Sequence, residues 1–246
     1  MILPMTPLLA SGGLFFAFEH ANPAGKGIIF LLLIGSIFSW SVMVGKFIYL
    51  RRARQENKSF IRRYRNSRAP LDTYREQRLY TASPIASVYQ AGAAELAFNL
   101  LGSTEVDETF SARLQTAEPI DHDAMSSVRS ALERAVGEEG LKMESQLILL
   151  ATAVSGAPFI GLLGTVWGVM DAFSGVALAG QASLGALAPG VSGALITTVV
   201  ALAVAIPAMF GYNFLITSVK EMTVETENFA AECLADFEHK YLKHRA

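Results

Sequence analysis

Charged and apolar positions divide this chain into tracts of different kinds. From Gly27 to Gly45 (GIIFLLLIGSIFSWSVMVG) no position is charged, and from Leu147 to Val219 the single charged position is Asp171. A helix of about 20 apolar residues crosses a hydrocarbon core of roughly 30 Å. The first tract therefore predicts one crossing and the second predicts two. Gly175 to Pro189 (GVALAGQASLGALAP), rich in Gly, Ala and Ser and broken by Pro189, is the expected turn between the last two.

The remaining tracts are polar with a helical period. Ser83-Pro84 is a helix-start pair, followed by apolar residues at helical spacing. The segment AEPIDHD at 117–123 reads as a break, with Asp121 or Asp123 as the N-cap of the next helix. After it, Met125, Val128, Leu132, Ala135 and Val136 recur every three to four residues on one face. No stop signal stands between there and Leu147, so the second crossing is expected to start in the polar tract near residue 123 and run unbroken, with Gly137 and Gly140 as weak points. The third crossing is expected to overshoot in the same way through VKEMTVETENFAAECLADFEHKYLKH. At about 1.5 Å per residue each extension projects tens of ångströms beyond a bilayer.

Composition agrees with a membrane protein: 52% of the 246 residues are hydrophobic and 17% charged, against roughly 25% charged in soluble domains. The charges also give an orientation. A segment rich in Arg and Lys from Arg51 to Arg68, with Glu56 as its one acid, follows the first crossing directly. The turn between the second and third crossings has neither Lys nor Arg, and the N-terminal arm has only Lys26. By the positive-inside rule the basic side is cytoplasmic. The expected layout is an outer arm (1–26), crossing one (27–50), a cytoplasmic helical segment (51–146), crossing two (147–173), an outer turn (174–188), crossing three (189–219) and a cytoplasmic tail (220–246). The basic run marks topology rather than a nucleic-acid surface, since the net charge of the chain is only −2.

Candidate chemistry is sparse. Residues 3 to 18 (LPMTPLLASGGLFFAF) have two prolines, a Gly pair and no preceding positive charge, which suits a short amphipathic segment on the outer face better than a signal peptide. Cys233 is the single cysteine, and His20, His122, His239 and His244 lack the pairing of metal ligands on one helix face. The sequence offers no nucleophile with an adjacent base, no phosphate-binding loop and no metal or cofactor motif, so the expected protein is not an enzyme.

The last two crossings are instead built for contact. In the second, Ala157, Gly161, Gly164, Gly168 and Ala172 follow one another at three- or four-residue steps, and Gly164 to Gly168 is a GxxxG step. In the third, Gly190, Ala194, Thr197, Ala201, Ala205 and Ala208 do the same. Thr165, Thr197 and Thr198 lie on or beside these stripes, where a threonine commonly bonds its own helix backbone. Pro158 and Pro207 each remove a backbone donor and are candidate kinks. Asp171 stands about 36 Å along the helix counted from Leu147, at the outer boundary. It reads either as a solvated boundary acid or as an acid at the mouth of an ion path.

Two stretches carry a resemblance. GLLGTVWGVMDAF at 161–173 and APGVSGALITTVVALAVAIPAMFGYN at 188–213 closely resemble the second and third membrane helices of the ExbB/TolQ/MotA proton-channel family, nearer to its ExbB and TolQ branch. That resemblance implies an all-α fold and a homopentamer in the bacterial inner membrane. It further implies that the ring surrounds a single-helix partner of the ExbD/TolR type, whose membrane aspartate carries protons and drives rotation. Carried over by residue, Thr165 and Thr198 match the polar pore residues, and Tyr212-Asn213 matches the pair that follows Pro207. One position departs from the pattern: Gly193 stands where ExbB and TolQ proteins usually have a membrane glutamate. Three accounts of this are open. The partner's aspartate suffices, with Thr165, Thr198 and Ser192 lining the path; Asp171 supplies the acid; or the ring is a non-conducting scaffold of the same architecture.

Overall fold

The computed structural model describes residues 9–180 and 183–243. Residues 3–8 of the expected outer segment, and His244, lie outside the described residues. Every regular element among the described residues is a helix: α1 (Leu9–Glu19), α2 (Pro23–Arg65), α3 (Asp72–Arg75), α4 (Pro84–Leu101), α5 (Phe110–Thr116), α6 (His122–Glu144), α7 (Leu147–Ala179) and α8 (Leu184–Tyr241). Helices α2, α7 and α8 are long and apolar enough to cross a membrane. The described residues form two compact units, one drawn from residues 9–44 and 146–214, the other from residues 45–145 and 215–243.

The first unit holds the apolar stretches. Leu32, Ala157, Ala201, Val204 and Ala205 form one buried cluster, and Ala17, Ala21, Ile29 and Ile196 form another. Large apolar side chains face outward on α7, among them Phe159, Leu162, Val166 and Met170. Water could not stabilise such a surface, and a lipid environment or neighbouring helices can. On α1, Leu14, Phe15, Phe16 and Phe18 are exposed while Ala17 is buried, which gives that short helix one packed side and a wide apolar one.

The second unit has a core of its own. Phe60, Tyr64, Tyr89 and Phe229 meet at centroid distances of 5.1–5.8 Å, in the range of edge-to-face aromatic packing. Ser83 caps α4 by accepting from the Ala86 amide at 3.1 Å, with Pro84 at the first position. Asp121 caps α6 by accepting from the Ala124 amide at 2.9 Å. Met125, Val128, Leu132 and Ala135 are buried on the face that the periodicity predicts. Cys233 is fully buried in this core, and burial pushes its thiol well above the ordinary range. Such a thiol is inert.

Two expectations fail. The second crossing does not run unbroken from the polar tract: α6 ends at Glu144 and α7 starts at Leu147, with Gln146 in the left-handed region at φ 68°. Gly137 and Gly140, the anticipated weak points, lie inside intact helix. The break falls elsewhere because the freed carbonyls of α6 have other partners. The Lys46 ammonium donates to the carbonyls of Lys142 (3.1 Å) and Met143 (3.2 Å) and to Ser145 Oγ (3.0 Å). A cation on the last carbonyls is the favourable end of the helix dipole. The connection between the last two crossings, expected at 174–188, is also shorter. Helix α7 continues to Ala179, and α8 starts at Leu184 behind Ser183, whose Oγ accepts from the Ala186 amide. Pro189 therefore sits inside α8. Its missing amide lies close to the helix start and removes only one backbone bond.

Candidate functional site

The small-residue stripes of α7 and α8 meet directly. A methyl group added at Gly164 would lie 2.6 Å from Thr197 Oγ1, and one at Gly168 would lie 2.6 Å from Ala194 Cβ. At Gly190 the obstacle is Ala172 Cβ at 2.8 Å, and at Gly161 it is Ala201 with the Thr197 carbonyl. Non-bonded carbon atoms settle at about 3.5–4.0 Å. Each of these four positions therefore needs glycine because the opposing helix occupies the space, and the GxxxG reading becomes a defined seam.

Hydroxyl groups gather in that seam. Thr165 Oγ1 donates to the Gly161 carbonyl at 2.9 Å, one turn back on its own helix. Thr197 Oγ1 lies 3.0 Å and Thr198 Oγ1 3.2 Å from the same carbonyl. Thr165 and Thr198 are also hydrogen-bonded to each other through their hydroxyls. Thr197 is completely buried and has a bond to its own Ala194 carbonyl at 2.7 Å. The expected habit of bonding the home helix holds for Thr165 and Thr197, while Thr198 bonds across to α7. Ser192 is half-buried and does not share this meeting point; six residues separate it from Thr198, about 9 Å along α8. Pro207 lies inside α8 and Pro158 inside α7, neither ending its helix.

Asp171 has a partner that spacing could not suggest. Asn22 Nδ2 donates to Asp171 Oδ2 at 3.1 Å. Asn22 precedes Pro23, and its Oδ1 accepts from the Gly25 amide at 2.7 Å, which is the geometry of an N-cap with proline at the first helical position. The corner between α1 and α2 thus reaches the C-terminal part of α7. It also reaches α8: a methyl group at Gly193 would lie 2.5 Å from the His20 carbonyl oxygen and 2.7 Å from the Ala21 nitrogen.

Residues 102–228 match the MotA/TolQ/ExbB proton channel family. The chain belongs to that family. Among similar members, the Tol-Pal system protein TolQ of Pseudomonas aeruginosa is 32% identical over 79% of this chain and 79% of its own length. The TolQ of Haemophilus influenzae is 31% identical over 87% of this chain and 89% of its own. The biopolymer transport protein ExbB of Neisseria meningitidis serogroup A is 30% identical over 87% and 91%. As a member of this proton-channel family the chain is an all-α membrane protein. Among the described residues no cluster of three or more His, Cys, Asp or Glu side chains could hold a metal ion.

Proposed function

We propose that this protein is the inner-membrane channel subunit of a proton-driven motor, working as a homopentamer with a single-helix partner of the ExbD/TolR type. Support for the reading comes first from the bond between Thr165 and Thr198 across the α7–α8 seam. Hydroxyls both donate and accept, so they can pass hydrogen bonds to a protonated partner carboxyl where apolar neighbours offer nothing. Asp171 stands six residues from Thr165, about 9 Å along α7 towards the outer end. The basic run from Arg51 to Arg68, most of it in the last part of α2, supports an outside N-terminus and a cytoplasmic C-terminus.

The test is proton flux in liposomes holding the protein and its encoded partner. Thr165→Val and Thr198→Val keep side-chain volume and remove the hydroxyls; each is expected to cut flux at least tenfold, with serine at either position restoring most of it. Replacing the partner's membrane aspartate by asparagine is expected to abolish flux. A second reading, a non-conducting scaffold, draws on the absence of an acid at Gly193. It prevails if the wild-type pair carries no flux at all. Gly193→Glu is a poor arbiter, because its side chain has to displace the backbone of His20 and Ala21.

A further inference from the structure

The corner between α1 and α2 meets the α7–α8 pair at four places. Its backbone at His20 and Ala21 fills the space over Gly193. Its Ala17 and Ala21 are buried with Ile29 and Ile196. In the first turn of α2, a methyl group at Gly25 would lie 3.5 Å from the Thr197 methyl. The fourth contact is the bond from Asn22 to Asp171. Lys26 Nζ adds a tie within the corner, donating to the Glu19 carbonyl at 3.1 Å.

We infer that this corner is a seat that holds the Asp171 carboxylate in place, with Asn22 as its positioning residue and Gly193 as the glycine that lets the corner sit. The two halves of the Asn22 amide have separate tasks. The oxygen is fixed by the Gly25 amide, so the NH2 group has one direction left, and that direction is the carboxylate. An asparagine free of the cap would lose rotamer entropy to make the same bond; here the helix start has already fixed it. Built on the channel reading proposed above, the inference makes Asp171 the acid at the outer mouth of the path and makes its position depend on a segment nearly 150 residues away in sequence.

The test separates this role from simple support of the fold. Asn22→Ser keeps an N-capping oxygen but is too short to reach Asp171. In the liposome assay it is expected to lower flux about tenfold, the scale of one lost hydrogen bond to a charged group. In an Asp171→Asn background the same substitution is expected to have no further effect, because a positioning residue has nothing left to position. Full multiplication of the two losses overturns the inference. The seat has its own readout that needs no flux. Cysteines at 22 and 171 are expected to be bridged by a short bis-methanethiosulfonate reagent in native membranes, and Gly193→Leu is expected to abolish the bridge. An unbridged pair, or a bridge indifferent to Gly193→Leu, overturns the seat. A bridge that behaves as expected alongside a wild type without flux rejects the channel and the positioning role, and leaves the seat as a packing device only.

Discussion

At the scale of single residues, the side chains that matter divide by the distance over which they act. Gly161, Gly164, Gly168 and Gly190 were legible in the sequence because close helix contact imposes a three- to four-residue repeat, and a repeat is visible without a structure. Thr165 and Thr198 were legible through resemblance. Asn22 and Lys46 were not, since their partners lie 149 and about 97 residues away; the Asn22-Pro23 pair signals a helix start but not the carboxylate it meets. Lys46 shows what such a residue contributes. Its side chain is buried, and its ammonium is bonded to two helix-end carbonyls and one hydroxyl. Lys46→Met keeps the aliphatic stem and removes the charge. The loss is expected to be about 1.5–3 kcal/mol, the range for hydrogen bonds to a charged group, read as a lower thermal midpoint in detergent. An unchanged midpoint would mean that water serves these carbonyls equally well.

Helices were placed well by period and caps, and badly where a break has no sequence signature. Ser83 announces its helix, and Asp121 was one of two candidates for the next, because a capping side chain stands at a fixed offset from the amide it accepts from. The break between α6 and α7 carries no glycine or proline; it rests on Gln146 in the left-handed region and on a lysine from α2. A non-glycine residue there is held at a cost of roughly 1 kcal/mol or more. Gln146→Gly is accordingly expected to stabilise the protein, by up to about 1 kcal/mol, and Gln146→Val to destabilise it, both by thermal unfolding of the purified protein. If glycine destabilised instead, the break would depend on the glutamine side chain rather than on its backbone. The turn between α7 and α8 was overestimated for the opposite reason: Gly175 and Pro189 are strong signals, yet α7 and α8 pass through both, and their seam continues to Ala172 and Gly190.

Over the whole molecule, each unit draws on a different source of order, and the sequence foretold the apolar one more fully. In residues 45–145 and 215–243, an aromatic core is ringed by ion pairs such as Arg65 with Glu232, where two N–H groups reach the carboxylate at 2.8 and 2.7 Å. Those bonds hold the Glu232 carboxyl below the usual carboxylate range. A depressed folded value contributes stability above the unfolded value of about 4.3, and that contribution is lost as pH falls through the folded value. The pair is partly exposed, so Arg65→Gln is expected to lower stability by no more than about 1 kcal/mol at neutral pH. The gap between variant and wild type should close below about pH 4, followed by unfolding midpoints across pH; a gap independent of pH would assign the effect to packing of the arginine stem.

Gly193 carries a consequence for descent. Its space is filled by the main chain of His20 and Ala21, and a main chain cannot be trimmed by exchanging one side chain for a smaller one. Position 193 and the segment 20–22 therefore behave as one inherited character: a lineage could acquire a larger residue at 193 only after its first helices had been redrawn.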